Sequence, residues 1–468
     1  MPDWGHVRLS SNLVLSVHPD LEITQASSGP ISLTMLGYML DPYHPQLSNL
    51  DILQNIADST SSFYTLLSTL RPYSGRWILI YRDSESIRLL NDPAGLRQAF
   101  FLADKNQVYC SSQPALMLDI LGPVVEMDTQ AKDFIASPLY ESSERFWPGD
   151  RTPYIGIKHL LPNHYLDLNT GKSTRYWPHA ILPDVSFESA ISTSAQILTG
   201  TFQAAKLRKP LMLAVTAGWD SRILLAASKD ISNKLFYYII KVSRLSDESD
   251  DIRIPSRLLK QLNLRFHVLD MPGTINPDFL KAFMSNTTEA RQKLVGAIAA
   301  LDEDYSGMLK VSGMVAEIAR NFYSYCHGRH TDGRLLAEIA GTKDLPFAVD
   351  GFQLWLSEAE KAAEDHKIDI LDLFYWEQRA GNWAAMGCAE ADMANDELCP
   401  FNNRLLMETL LGVDRSHRMP PDYPFYKALI KYMWPETLRQ PINPPGLLTR
   451  IKRYAKGAIR ILKKLTIR

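Results

Sequence analysis

The pattern of apolar and polar positions changes character partway along the chain. In the first part the apolar runs are short and the turns frequent. Trp77-Ile78-Leu79-Ile80-Tyr81 reads as a buried strand, and the polar run 82–86 as the turn after it. Residues 87–90 form a second short strand that ends in the turn cluster Asn91-Asp92-Pro93-Ala94-Gly95. Residues 99–102 and 107–110 predict a hairpin, and 165–168 followed by Asn169-Thr170-Gly171-Lys172 predict another strand and turn. This is the texture of an antiparallel, β-rich domain. Residues 177–186, with Pro178 and Pro183, read as a linker.

From about residue 187 helix-length segments alternate with apolar strands at 211–215, 235–242 and 264–269. That alternation predicts a parallel α/β sheet. Residues 280–435 read mainly as helix. Residues 450–468 differ again, with eight basic residues and no acid. Ile451, Tyr454, Ala455, Ala458, Ile459, Leu462 and Leu465 fall on one helical stripe. Such a basic amphipathic helix suits an anionic membrane surface or RNA, or packs its stripe on the body of the protein.

Composition narrows the class. The chain has 468 residues, 46% hydrophobic and 22% charged, which excludes a disordered or collagen-like chain. Its length predicts two domains. The formal net charge of −2 excludes a wholly basic nucleic-acid binder. That charge is uneven: without the tail, 42 basic residues face 52 acidic ones, a net of −10. Cys110, Cys326, Cys388 and Cys399 form no C-x-x-C pair and suit neither a zinc site nor a disulfide framework. The N-terminus lacks a signal-peptide pattern, and no apolar window of about 18 residues occurs. The expectation is a cytoplasmic protein, with the tail as its candidate contact with the inner face of a membrane.

The sharpest chemical feature is Thr216-Ala217-Gly218-Trp219-Asp220-Ser221, which follows a strand directly and opens a helix over 222–228. A small-residue turn at a helix start leaves backbone N–H groups free to bind an anion, typically phosphate. Thr216 and Ser221 add hydroxyls, and Asp220 a carboxylate suited to a hard cation. No Walker loop occurs anywhere in the chain.

The hexapeptide resembles the S-G-G-x-D-S pyrophosphate loop of the asparagine synthetase-like ATP pyrophosphatases, with Thr216 for Ser and Ala217 for Gly. Other segments resemble the same family in the same order. They are 91–97 (a D-P-x-G-x-R turn), 155–162 with Tyr176-Trp177, and Ser312-Gly313-Met314-Val315-Ala316-Glu317 in place of S-G-E-G-S-D. Pro400-Phe401-Asn402-Asn403 and 426–436, with Lys427 and Lys431, complete the series. The resemblance implies a mixed fold, α/β plus α+β. An N-terminal Ntn-type αββα sandwich over 1–180 would be a degenerate glutamine-amidotransferase-like domain. A parallel α/β domain of the adenine-nucleotide α-hydrolase (PP-loop) type over 187–445, helical toward its end, would follow, and then the tail over 446–468.

By the same resemblance residues 216–221 bind the pyrophosphate of ATP. Ala214 and Ile240 flank the adenine, and Ser312 and Gly313 contact the nucleotide from a second loop. Asp220 and Glu317 hold Mg²⁺, and Lys427 stabilises charge at the α-phosphate. Glutaminase members carry Cys after the initiator Met. Position 2 here is Pro and the first cysteine is Cys110, expected to be a buried strand residue, so glutamine is not the expected nitrogen source.

The implied reaction is carboxylate activation by ATP to an acyl-adenylate with release of pyrophosphate, then amide formation with ammonia or a substrate amine. The partners are thus a small-molecule or peptide carboxylate and an amine; no nucleic acid is expected, and the oligomeric state is left open. Two alternatives remain: a catalytically degenerate nucleotide-binding or scaffold protein, and a PP-loop enzyme acting on RNA. Asp396-Glu397 are candidates for a general base. The His327-x-x-His330 pair and the acidic run 247–251 read as solvent-facing and as a helix start. Phe374, Tyr375, Trp376 and Trp383 read as core sooner than as a pocket.

Overall fold

The first strands pair as neighbours in sequence because short polar turns join them. A hairpin links β1 (Gly5–Arg8) to β2 (Val14–Val17), and a second links β3 (Ile23–Ser28) to β4 (Ile31–Leu40). The chain continues through β5 (Ser74–Arg82), β6 (Ile87–Asn91), β7 (Phe100–Asp104) and β8 (Gln107–Ser111). β9 (Lys158–His159), β10 (His164–Asp167) and β11 (Ser173–Arg175) complete this part. The order β11-β10-β6-β5-β4-β3 makes a six-stranded antiparallel sheet, and β8-β7-β9 a three-stranded one. This computed structural model describes residues 3–444 except 105, 106, 123 and 124, so Pro2 and the tail at 446–468 lie outside the described residues.

β5 shows why these sheets stack. Trp77, Leu79 and Tyr81 face Ile52, Leu53, Ile56, Phe63 and Leu66 of the helices Asn49–Ser59 and Phe63–Thr69. Ile78 and Ile80 face the other way, onto Phe101 and Leu160. Burial on both faces explains the unbroken apolar run of this strand. Phe100 and Ile157 pack outward on Met117 of the helix Pro114–Leu121. The layers are therefore helix, sheet, sheet, helix.

The second part begins with the helix Phe187–Arg208, whose start is capped by the Ser186 hydroxyl accepting from the Ser189 N–H. A parallel sheet follows: β12 (Leu211–Ala214), β13 (Leu235–Lys241), β14 (Phe266–Asp270), β15 (Leu309–Val311) and β16 (Glu397–Leu398). The strand order is β14-β13-β12-β15-β16, and every pair is parallel. The chain steps outward from β12 to β14 and then returns past β12 to β15. In open parallel sheets ligands bind beyond the carboxyl ends of the strands at such a reversal.

β15 and β16 fall inside the stretch that reads as helical from sequence. They have three and two residues, too few to carry a period of their own, and they exist because neighbouring strands supply hydrogen bonds. A ten-residue π-helix, Tyr375–Ala384, is likewise invisible to a 3.6-residue pattern.

Residues 176–186 carry no regular element, yet the packing does not stop there. One hydrophobic cluster runs from Leu40, Leu96 and Trp177 to Leu198, Leu213, Trp376 and Leu429. Asn402 donates to Asp92 Oδ1 at 2.8 Å and accepts from the Ala94 N–H at 2.8 Å, fixing the 91–97 turn against residues 400–403. A Cβ on Gly200 would lie 1.9 Å from the Pro42 carbonyl oxygen, so helix and loop meet backbone to backbone. Among the described residues no helix is long and apolar enough to cross a membrane.

Candidate functional site

β12 ends at Ala214 and delivers residues 216–221 to the carboxyl edge of the sheet. The helix Trp219–Ala227 starts there with Gly218 at its cap, and no side chain caps its first amides. The N–H groups just before it are not free, contrary to the sequence-based expectation. Thr216 N–H donates to Ser221 Oγ at 3.1 Å, Gly218 N–H to Thr216 Oγ1 at 3.1 Å, and Ala217 N–H to Asp251 Oδ1 at 3.0 Å. Asp251 comes from the acidic start of the helix Asp250–Gln261. Its carboxylate satisfies part of the loop that the sequence assigns to phosphate, leaving the first turn of the following helix as the open anion-attracting end.

β15, on the far side of the switch point, delivers Ser312 and Gly313. The two loops touch: a Cβ on Gly313 would lie 2.8 Å from Asp220 Cβ. Ala214 and Ile240, at the ends of adjacent strands, are half-buried beside an apolar cluster that includes Leu269 and Met393. Asp220 Oδ1 and Ser312 Oγ are buried with no hydrogen-bond partner. Unpartnered buried polar atoms are costly and need a reason.

The charges around Asp220 come as a chain. Arg320 Nη2 lies 2.9 Å from Asp220 Oδ2 and 3.0 Å from Glu317 Oε1. Arg379 Nε lies 3.3 Å from Glu317 Oε2. Burial pushes the Asp220 carboxyl up to about 7; Arg320 opposes the rise and Glu317 adds to it. Arg320 also sits over the Tyr423 ring, 5.6 Å from its centre, and Arg379 over Trp383 and Phe322, at 4.3 and 4.6 Å. The π-helix places Arg379, while Tyr375 in the same helix donates to the Met314 carbonyl at 3.1 Å.

The arrangement does not fit a protein-held Mg²⁺. That ion needs oxygen ligands at about 2.0–2.1 Å in octahedral array. The two carboxylates expected to hold it, Asp220 and Glu317, share a guanidinium instead, and no group of three or more metal-ligating side chains occurs among the described residues.

Val315 is fully buried core, and the Met314 sulfur faces Gly387, so this loop is closed by packing where the family motif has a glycine and a carboxylate. Lys427 is exposed on the helix Pro424–Met433, one turn beyond Tyr423, whose ring lies 5.7 Å from that of Trp219; neither Lys427 nor Lys431 makes an ion pair among the described residues. Asp396 and Glu397 are engaged in ion pairs, Asp396 with Arg76 at 3.4 Å and Glu397 with Lys310 at 3.0 Å. His327 and His330 are exposed, and Phe374, Tyr375 and Trp376 are core. Cys110 lies in β8 as the pattern predicts, but its side chain is exposed, because β8 is an edge strand of its sheet.

Sequence reading missed Arg320 and Arg379, and it read Asp251 only as part of a helix start, without its bond to the Ala217 amide. A signal existed for the first two. Arg320 stands three residues after Glu317, and Glu377, Gln378, Arg379 and Asn382 interrupt an aromatic stretch that is otherwise core.

No family model matches the chain, and no curated protein matches it. Among solved structures, the allosteric regulatory enzyme of purine biosynthesis overlaps 60% of this chain and 61% of its own at 14% identity, with a TM-score of 0.22. Glutamine phosphoribosylpyrophosphate amidotransferase from B. subtilis, complexed with ADP and GMP, overlaps 70% of this chain and 65% of its own at 11% identity, also with a TM-score of 0.22. The chain thus spans under two thirds of either protein, and overlaps of that quality are too slight to assign a fold or an activity.

Proposed function

We propose that this chain is an ATP-dependent, amide-forming enzyme of the asparagine synthetase type that does not draw on glutamine. The observation that carries the reading is the meeting of residues 216–221 with Ser312 and Gly313 at the switch point of the parallel sheet, with Asp220 lodged against Gly313. In the proposed reaction a substrate carboxylate oxygen attacks the α-phosphorus of ATP. The bond between that phosphorus and the bridging oxygen breaks, and pyrophosphate leaves with the electron pair. Ammonia or a substrate amine then attacks the acyl carbon, AMP departs, and the amine gives up a proton. The helix start at Trp219 and the Arg320 guanidinium would stabilise the leaving pyrophosphate. Ala214 and Ile240 would receive the adenine, and Lys427 would reach the α-phosphate from the helix Pro424–Met433.

ATP–pyrophosphate exchange, screened over amino acids, peptides and sugar acids, tests the reading. Exchange with one of them, abolished in Asp220→Ala, is the expected result. ADP and phosphate as products would refute adenylation.

A second reading, a nucleotide-binding protein without turnover, is favoured by the internal satisfaction of the 216–218 amides. It predicts ATP binding with no exchange for any carboxylate.

A further inference from the structure

Three buried polar atoms around Asp220 lack partners: Asp220 Oδ1, Ser312 Oγ and Arg320 Nε. Two of the three belong to groups that can donate a hydrogen bond, and one of those carries a fixed positive charge. A metal ion would need the reverse, a surplus of acceptors. The carboxylates that could supply acceptors are already neutralised, since Asp220 and Glu317 are matched by Arg320 and Arg379 at 2.9 to 3.3 Å. A Mg²⁺ bridging Asp220 Oδ2 and Glu317 Oε1 would have to take the place of Arg320 Nη2, against like charge, and the one acceptor left open, Asp220 Oδ1, is too few for an octahedral ion. Arg320 has little freedom to leave. Its side chain is 12% exposed, it is bonded on two sides, and its face lies on Tyr423.

We infer that this site binds a phosphate-bearing anion with Arg320 as its built-in cation, in place of a divalent metal held by Asp220 and Glu317. The inference rests on the nucleotide reading above and deepens it. A phosphate oxygen bound at this site would draw on the uncapped amides of the first turn of the helix Trp219–Ala227, on the unpartnered Arg320 Nε–H and on the Ser312 hydroxyl. Guanidinium suits such an oxygen because it is planar, permanently charged and less strongly hydrated than an ammonium group. Mg²⁺ that arrives already chelated by ATP would keep its phosphate and water ligands and gain none from these two carboxylates.

The test is calorimetry on the full-length chain with pyrophosphate and with ATP, once in EDTA and once in excess Mg²⁺. A parallel titration with Mn²⁺ alone is read by electron paramagnetic resonance. The expected result is binding in EDTA within about threefold of that in Mg²⁺, and no Mn²⁺ taken up by the protein alone. Arg320→Met is expected to weaken pyrophosphate binding by about tenfold or more. Arg320→Lys, which keeps the charge, should retain part of it, separating loss of charge from loss of fold. Binding of pyrophosphate and ATP only in Mg²⁺, or stoichiometric uptake of Mn²⁺, would overturn the inference and leave the nucleotide reading intact. Unchanged binding in Arg320→Met would also overturn it. Absence of binding in both conditions would overturn the nucleotide reading, and the inference with it.

Discussion

Replacing Glu377 by glutamine removes one charge and changes almost nothing in shape. The carboxylate is fully buried and receives only donors: both terminal nitrogens of Arg175, Asn163 Nδ2 at 3.0 Å and Trp355 Nε1 at 2.8 Å. Burial pushes its pKa up, but Arg175 and His164 overcome that and leave it below the ordinary carboxylate range. Glutamine keeps one accepting oxygen and turns an NH₂ toward a donor. It also leaves Arg175, 14% exposed, without its counter-charge. Breaking a buried pair from one side costs about 3–5 kcal/mol. The retained amide oxygen recovers about 1 kcal/mol. The expected loss is therefore about 2–4 kcal/mol, read from the urea midpoint by tryptophan fluorescence. A cycle with Arg175→Met isolates the pair, and the double variant should be less destabilised than the sum of the singles. Because Glu377 also anchors the π-helix that presents Arg379 and Trp383, ATP affinity should fall as well. A destabilisation under about 1 kcal/mol, or additivity within about 0.5 kcal/mol, would refute the assignment of Glu377 as a buried electrostatic anchor.

Gly313→Ala puts a Cβ 2.8 Å from Asp220 Cβ, so calorimetric ATP affinity should drop by about tenfold or more; an unchanged value would mean the loops are looser than they stand here. His159 and His164 are held neutral by burial, each pushed down to about 4 from 6.5. The unfolded chain therefore takes up two protons that the folded chain refuses. Stability should fall as pH drops from about 6.5 toward 4, by up to about 3 kcal/mol per histidine, and a flat urea midpoint across that window would count against it. Its surroundings push the Cys110 thiol up to about 12, so thiol titration with an aromatic disulfide should find it slower than a free thiol, with Cys326, Cys388 and Cys399 slower still until denaturant is added. Asn402→Ala strips the buried bonds to Asp92, the Ala94 amide and the Gly75 carbonyl, and should cost about 2–3 kcal/mol by the same urea assay.

Much of this was legible along the chain. Short apolar runs such as 77–81 and 87–90, each followed by a polar turn cluster, mark antiparallel strands because runs of four or five residues between turns are too short for helices. The apolar strands 211–215 and 235–242, spaced by helix lengths, mark a parallel sheet, and a strand running straight into Thr-Ala-Gly-Trp-Asp-Ser marks the carboxyl edge where the candidate site lies. These are local properties, fixed by neighbours three or four positions away.

What the tertiary structure decided is everything that depends on residues distant in sequence. β15 is a strand only because β12 lies beside it, and β16 only because β15 does. The π-helix stands because its polar residues meet Asn163, Arg175 and Gly149 from the other sheet system. Asp251, 34 residues beyond Ala217, satisfies an amide that the sequence left open to phosphate. Above all, Asp220 and Glu317 read from sequence as two acids awaiting a cation. Only the fold brings Arg320 between them, 100 residues beyond Asp220 in the chain. Sequence sets which charges exist. Their pairing is a matter of a few ångströms, and burial then fixes whether each pair remains charged, open or closed.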